Sequence, residues 1–279
     1  MTDHRRSTEP PIVVTGGFEA LLSSDVRFLD AASRLGPVHV RLWSDALVEK
    51  LTGAPPRFSQ AERLFFAANL RYASSVAVIH SAAAATRTIR GLAPRAVVAP
   101  ESDLGRLRAA ADGDSIPCRA IAAEELIGWP APLDSLVEPH DPDAFRVLVT
   151  GCFDWLHSGH VEFFREAATL GELYVVVGSD RNVRLLKGDG HPLHDETERA
   201  YMVGAARPVH RALISTGSGW MDAEPEVDTV KPHIYVVNED GDKPEKREFC
   251  KTHGLDYVVL RRRPHRGLPR RTSTDLRGF

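Results

Sequence analysis

The sequence predicts an α/β protein of two tandem modules, each a parallel sheet with helices on both faces, the second module complete and the first degenerate. Three observations predict it. Short apolar runs of strand length alternate with longer amphipathic stretches along the chain. Those runs are apolar throughout rather than at alternate positions, as expected of strands buried on both faces by crossover helices. The chain also repeats itself. TGGFEALLSSDVRFLDAASRLG, from Thr15 to Gly36, stands against TGCFDWLHSGHVEFFREAATLG, from Thr150 to Gly171. One offset keeps Thr15 with Thr150, Phe18 with Phe153, Gly36 with Gly171, and Ser44-Asp45 with Ser179-Asp180.

Farther on, the register slips by one residue. FSQAERLFFAANLR then lies against HDETERAYMVGAAR, pairing Arg63 with Arg199 and Arg71 with Arg207, and PRAVVAPE resembles PHIYVVNE. The organisation that follows is a disordered tail over residues 1–10, a degenerate module over 11–128, a Pro-rich linker over 129–143 and a complete module over 144–279.

The elements of the complete module follow in order. Val147 to Val149 is a strand that leads through a Gly turn into a helix with apolar positions at Val161, Phe163, Phe164, Ala167 and Ala168. Gly171 stands where a helix C-cap belongs. Leu173 to Val177 is a second buried strand, followed by a turn at Gly178-Ser179-Asp180. A helix through Glu198 to Ala206, a strand at Ile234 to Val237, a helix near Glu245 to Thr252 and a strand at Tyr257 to Leu260 complete it. The first copy opens in the same way, with Ile12 to Val14 as its strand. Sheets of this kind bind ligands at the carboxyl ends of their strands, where the turn at Gly151 lies.

Composition sets limits. The 279 residues carry a formal net charge of −3, which offers no general attraction for nucleic acid. Positive charge is nonetheless concentrated at Arg261, Arg262, Arg263, Arg266, Arg270 and Arg271, a run that suits a solvated surface or a polyphosphate ligand. The three cysteines, Cys118, Cys152 and Cys250, have neither metal-ligand spacing nor an even disulfide count, pointing to a reducing cytoplasm. MTDHRRSTEPP lacks an apolar signal core, and no stretch is long enough to span a bilayer.

The chemistry is concentrated in Gly151-Cys152-Phe153-Asp154-Trp155-Leu156-His157-Ser158-Gly159-His160. His157 and His160 are three residues apart and share one face at a helix start. Unpaired N–H groups and the helix dipole favour phosphate there, and Gly159 lets a polyphosphate approach the backbone. Zinc ligation by the pair is disfavoured because no cysteine or third histidine sits suitably nearby in sequence, so no metal-ligating residue is assigned. Asp154 caps or orients the turn, Phe153 and Trp155 pack, and Cys152 fills a variable position.

The pattern G-x-F-D-x-x-H-x-G-H resembles the signature of the cytidylyltransferase-like nucleotidyltransferases, over most of residues 146–279. The resemblance implies two Rossmann-like modules and a reaction in which a phosphate or phosphonate oxygen attacks the α-phosphate of a nucleoside triphosphate, releasing pyrophosphate. It implies catalytic roles for His157, His160 and Lys187. It further implies nucleotide contacts from Gly151, Cys152, Phe153, Gly159, Arg199, Asp240, Thr272, Ser273 and Thr274. Thr272 to Leu276 reads TSTDL and resembles the family's STTDL element. His210 and Arg211 depart from it, standing after Val209 where an acidic pair is usual. Tandem modules with an STTDL-like element most resemble the ethanolamine-phosphate and glycerol-phosphate cytidylyltransferases. The resemblance therefore implies CTP, a small phosphorylated acceptor and Mg²⁺ bound with the nucleotide. LKGDGHP resembles adenylyltransferases of sugar phosphates and keeps ATP as the alternative. A silent nucleotide-binding or scaffolding protein is the alternative of another class.

Under the repeat, Leu22 replaces His157, Ser24 replaces Gly159, Asp25 replaces His160 and Thr52 replaces Lys187. Leucine donates no hydrogen bond and an aspartate repels a triphosphate. The first module is therefore expected to be folded but non-catalytic, making a pseudo-dimer within one chain that leaves a homodimer open.

Overall fold

The computed structural model describes residues 9–103, 105, 116–272 and 276. The chain divides into two compact units, Met1–Gly128 and Trp129–Phe279. In the first, β1 (Ile12–Gly16), α1 (Ser23–Ser33), β2 (Val38–Trp43), α2 (Asp45–Thr52) and α3 (Gln60–Ala68) lead to β3 (Ala73–Ile79). Then come α4 (Ala82–Leu92), β4 (Ala96–Pro100) and β5 (Cys118–Ile121). The strands form one sheet in the order β3-β2-β1-β4-β5, every neighbouring pair parallel.

The second unit builds the same sheet from β6 (Arg146–Gly151), β7 (Glu172–Val177), β8 (Val209–Ile214), β9 (Ile234–Asn238) and β10 (Asp256–Leu260). Its order is β10-β9-β6-β7-β8, again all parallel. Reading β6 as β1, β7 as β2 and so on superimposes the two orders. The α/β expectation of two Rossmann-like parallel units is borne out. The physical basis is the one legible in the sequence: Val147, Leu148 and Val149 are fully buried, as are Val13 and Val14, because helices cover both sheet faces.

The helices of the second unit are α5 (Ser158–Ala167), α6 (Asp180–Lys187), α7 (Glu196–Ala205), α8 (Glu224–Val230) and α9 (Pro244–Thr252). On α5, Val161, Phe163, Phe164 and Ala167 face the core, as their spacing predicts. Two local expectations need correction. Gly171 caps a 3-10 turn rather than the α-helix itself: α5 ends at Ala167, the 3-10 turn covers Ala168–Leu170, and Gly171 is its C-cap with φ 152°. A Cβ there would lie 2.1 Å from the Phe145 carbonyl oxygen, so only glycine fits. And Ser179, expected in a bare turn, caps α6 by accepting a hydrogen bond from the Asn182 amide. The helix was not legible because DRNVRLLK buries only Asn182 and Val183 and leaves Leu185 and Leu186 exposed, so no apolar stripe marks it.

Between β6 and β9 the order of connection reverses, and ligands of open parallel sheets bind in that crevice. The pairing there is short. β6 and β9 are registered only at Val147 with Ile234 and Leu148 with Tyr235, and they part toward their carboxyl ends.

Candidate active site

A cavity of about 490 Å³ opens where β6 and β9 part. One wall is the turn Thr150 to Asp154 and the other is Val237 to Gly241, with Gly159 and His160 at the start of α5 closing the floor. The turn has a demanding backbone. Phe153 adopts φ 50°, and its ring folds back over Gly151, where a Cβ would meet the ring at 2.7 Å. Glycine is therefore required at 151 for packing as well as for access. Phe153 then meets His160 edge-on, with ring centroids 5.2 Å apart.

His157 is the N-cap of α5 and His160 lies on its first turn. Their rings stack with centroids 3.8 Å apart. The Gly159 amide donates to His157 Nδ1 at 3.1 Å, which assigns that nitrogen as an acceptor and puts the proton on Nε2. A Cβ on residue 159 would come within 3.0 Å of the His157 ring, so Gly159 makes room for the imidazole itself. His157 is 1 % exposed, and its Nε2 has no hydrogen-bond partner among the described residues. A buried donor left in this state costs about 1–3 kcal/mol, a penalty that a ligand oxygen would remove.

Both imidazoles are held neutral. Burial is the main cause for His157, reinforced by His160, Arg262 and Arg271, and it pushes the group well below its ordinary value. Burial and then Arg262 push His160 down to about 3, against smaller opposing effects from Asp240 and the Trp155 carbonyl. These folded-state values lie below the unfolded ones, so below about pH 6.5 the unfolded chain binds more protons and stability falls. We expect the second unit to lose roughly 1 kcal/mol per pH unit between pH 6.5 and 4 from His160, with His157 acting in the same direction. Urea titrations at stepped pH check this, and His160→Asn should flatten the slope; an unchanged slope would show the ring to be hydrated.

Lys187, the last residue of α6, is exposed and lines the cavity, as do Cys152 and Asp240. Asp240 pairs with Arg262, whose guanidinium also donates to the Arg271 carbonyl at 3.1 Å. Thr272 is half-buried beside it. Ser273 and Thr274, expected to touch phosphate, lie outside the described residues.

Arg199 lies inside the fold. It was expected to bind nucleotide phosphate, yet it is 1 % exposed and its guanidinium is committed to protein acceptors. Nε donates to the His194 carbonyl at 2.9 Å, Nη1 to Cys152 at 2.6 Å, and Nη2 to Gly178 at 2.7 Å and Asp180 Oδ1 at 2.8 Å. The first unit repeats this without the histidines. Arg63 is fully buried and donates to the carbonyls of Phe58 and Gly17 and to Asp45. The same clamp thus stands in a unit with a catalytic-type histidine pair and in one without it.

Asp154 also serves the scaffold. Its Oδ1 accepts from the Leu193 amide at 2.7 Å and the His194 amide at 3.2 Å, tying the loop that carries His191 to the cavity rim. Sequence reasoning missed Lys246 and His191, which line the cavity together with Asn238 and Arg262. Arg262 was visible only as one of a run of arginines. Lys246 sits on α9, partly desolvated, with its ammonium 5.9 Å over the Tyr235 ring; burial lowers its pKa.

At the matching edge of the first unit, Phe18 repeats φ 50° beside a cavity of about 310 Å³. Asp25 occupies the place of His160, accepts from the Leu22 amide at 3.0 Å, and is pushed up to about 6 by burial. Among the described residues lining that cavity there is no histidine, lysine or arginine.

A Rossmann-like sheet with a stacked imidazole pair and cations at its switch point defines a nucleotide-handling α/β domain of the transferase class. Comparison with known proteins agrees. The Cytidylyltransferase-like family profile matches residues 148–278. The FAD synthase of Aciduliprofundum boonei is 40% identical over 136 residues, which cover 48% of this chain and 84% of that protein. The FAD synthase of Methanopyrus kandleri is 40% identical over 122 residues, 42% of this chain and 78% of that protein. The Bifunctional protein HldE of Pelobacter propionicus is 36% identical over 107 residues, 38% of this chain and 21% of that protein. The chain belongs to the cytidylyltransferase-like family and is a nucleotidyltransferase.

Proposed function

We propose that the second unit transfers AMP from ATP to a small phosphorylated acceptor, with release of pyrophosphate. The observation that carries the transferase reading is the buried Nε2 of His157, without a hydrogen-bond partner among the described residues, on a ring stacked against His160, which lines the cavity of about 490 Å³. The preference for ATP is supported by the relatives named FAD synthase, whose product contains an adenylate. The expectation of CTP rested on tandem modules and the element at Thr272 to Leu276, and neither feature reads a base.

In the reaction an acceptor phosphate oxygen attacks the α-phosphorus of ATP. The new P–O bond forms as the bond to the pyrophosphate bridging oxygen breaks, and the electron pair leaves with pyrophosphate. Negative charge builds on the non-bridging oxygens and on the leaving group. Neutral His157 and His160 donate hydrogen bonds to those oxygens from fixed positions, which needs no reorganisation as charge develops. Lys187, Arg262 and Lys246 line the same cavity and neutralise the phosphates.

The described carboxylates of the lining, Asp154 and Asp240, are already bonded to backbone amides and to Arg262 respectively. That donor set fits a Mg²⁺ that would be held chiefly by the triphosphate, with Asp240 the lining carboxylate that would assist. When bound, the ion supplies charge neutralisation on the phosphate oxygens. The three cysteines are free thiols, which supports a cytoplasmic setting. Among the described residues no helix is long and apolar enough to cross a membrane.

Pyrophosphate release tests the proposal, crossing ATP, CTP, GTP and UTP with flavin mononucleotide, sugar phosphates, amino-alcohol phosphates and polyol phosphates in the presence of Mg²⁺. Release requiring ATP and one acceptor is the expected result. Release with CTP alone would restore cytidylyl transfer, and nucleotide binding with no release from any pair would point to a silent binding protein.

A further inference from the structure

At the opposite edge of the second sheet, the structure brings together three groups that the transferase site does not use. His140 comes from the segment before β6, Glu172 is the first residue of β7, and His210 is the second residue of β8. One ligand atom from each lies within 4.8 Å of the others. We propose that His140, Glu172 and His210 bind a divalent transition metal ion, zinc by preference, which fastens the segment around His140 to the sheet.

Two imidazoles and one carboxylate are the donor set zinc takes in three-ligand protein sites, with water completing the tetrahedron. Metal–ligand bonds of about 2.0–2.1 Å place such donors roughly 3.3 Å apart. Ligand atoms within 4.8 Å of one another need to close by at most about 1.5 Å to reach that value, which side-chain adjustment supplies. His140 Nδ1 already lies 2.8 Å from Glu172 Oε2.

The surroundings orient the carboxylate. The Asp141 amide donates to Glu172 Oε1 at 2.6 Å, and the Tyr174 hydroxyl approaches Oε2 at 3.5 Å. Tyr174 also packs against His210, with ring centroids 5.2 Å apart. Such outer contacts fix ligand direction in metal sites. Arg146 and Arg211 lie close enough to act on Tyr174 and oppose a cation, so the carboxylate is needed in the set.

His210 owes its direction to a bulge. Leu173 registers with Val209 and Tyr174 with Arg211, leaving His210 as the extra residue on β8. Bulges commonly re-aim a side chain. The first unit has the same bulge, with Val38 registered to Ala73 and His39 to Ser75. There the extra residue is Ser74, and the repeat places Pro37 opposite Glu172. The bulge therefore belongs to the fold, while the donor set belongs to the second unit alone. No short sequence spacing announces it, because its members are 32 and 38 residues apart: His140 to Glu172, and Glu172 to His210.

The test is zinc competition against a chromophoric chelator, using the untagged full chain, with Co²⁺ absorption as a second readout of coordination. One equivalent of zinc bound at micromolar or tighter affinity is expected, weakened at least about tenfold by His140→Ala and by His210→Ala. Zinc should raise the melting temperature of the wild type and not of His140→Ala, whose half-exposed ring the fold can spare. Binding should persist in His157→Ala/His160→Ala. Absence of binding at roughly 100 µM free zinc, or binding that survives both His140→Ala and His210→Ala, would overturn the proposal.

Discussion

His160→Ala is expected to lower kcat by about 100- to 1,000-fold while changing nucleotide affinity by no more than a few-fold. The asymmetry follows from when the imidazole is needed. A neutral ring contributes little to holding an anionic triphosphate in the ground state, where Lys187, Arg262 and Lys246 provide the charge. Its N–H becomes valuable as charge accumulates on the oxygens around the α-phosphorus. Single-turnover pyrophosphate release alongside equilibrium nucleotide binding separates the two effects. Losing kcat and affinity in equal proportion would recast His160 as a binding residue. His160→Asn is the useful companion, since it keeps a donor of similar reach and should recover part of kcat.

Arg199→Ala is expected to act on folding rather than on nucleotide binding. It leaves the carbonyls of His194, Cys152 and Gly178 without their donor in a site where the arginine is 1 % exposed. Removing one member of a buried charge-assisted network costs about 3–5 kcal/mol. The ion pair to Asp180, which is 23% exposed, accounts for the smaller share. Urea unfolding measures the loss, and the folded fraction at low temperature should bind ATP nearly as wild type does. Arg63→Ala provides the control, because its clamp stands in a unit without the histidine pair. A comparable loss of stability in both variants supports the scaffold role. A normal melting temperature with lost ATP affinity in Arg199→Ala would return the residue to the phosphates.

What the sequence determined by itself is what local chemistry carries. Uninterrupted apolar runs separated by helical stretches require a parallel sheet covered on both sides, and the offset of identities between the halves requires that sheet twice. The turn from Gly151 to His160 is local in the same sense. A histidine two residues before a glycine at a helix start accepts that glycine's amide, which leaves its other nitrogen to carry the proton. These features depend on contacts a few residues apart, so a one-dimensional pattern records them.

The tertiary structure decided the roles that depend on distant partners. A sequence shows the charge of Arg199 and not the three carbonyls, from separate segments, that it meets in the fold. Arg262 was one arginine among many until its pairing with Asp240 set it at the cavity, and α6 was hidden because its exposed leucines leave no stripe. His140, Glu172 and His210 meet only because adjacent parallel strands bring their amino ends side by side and a bulge turns one ring inward. Residue type and spacing encode the backbone and its turns; which charges face a ligand is set by burial and by long-range partners that only the folded chain supplies.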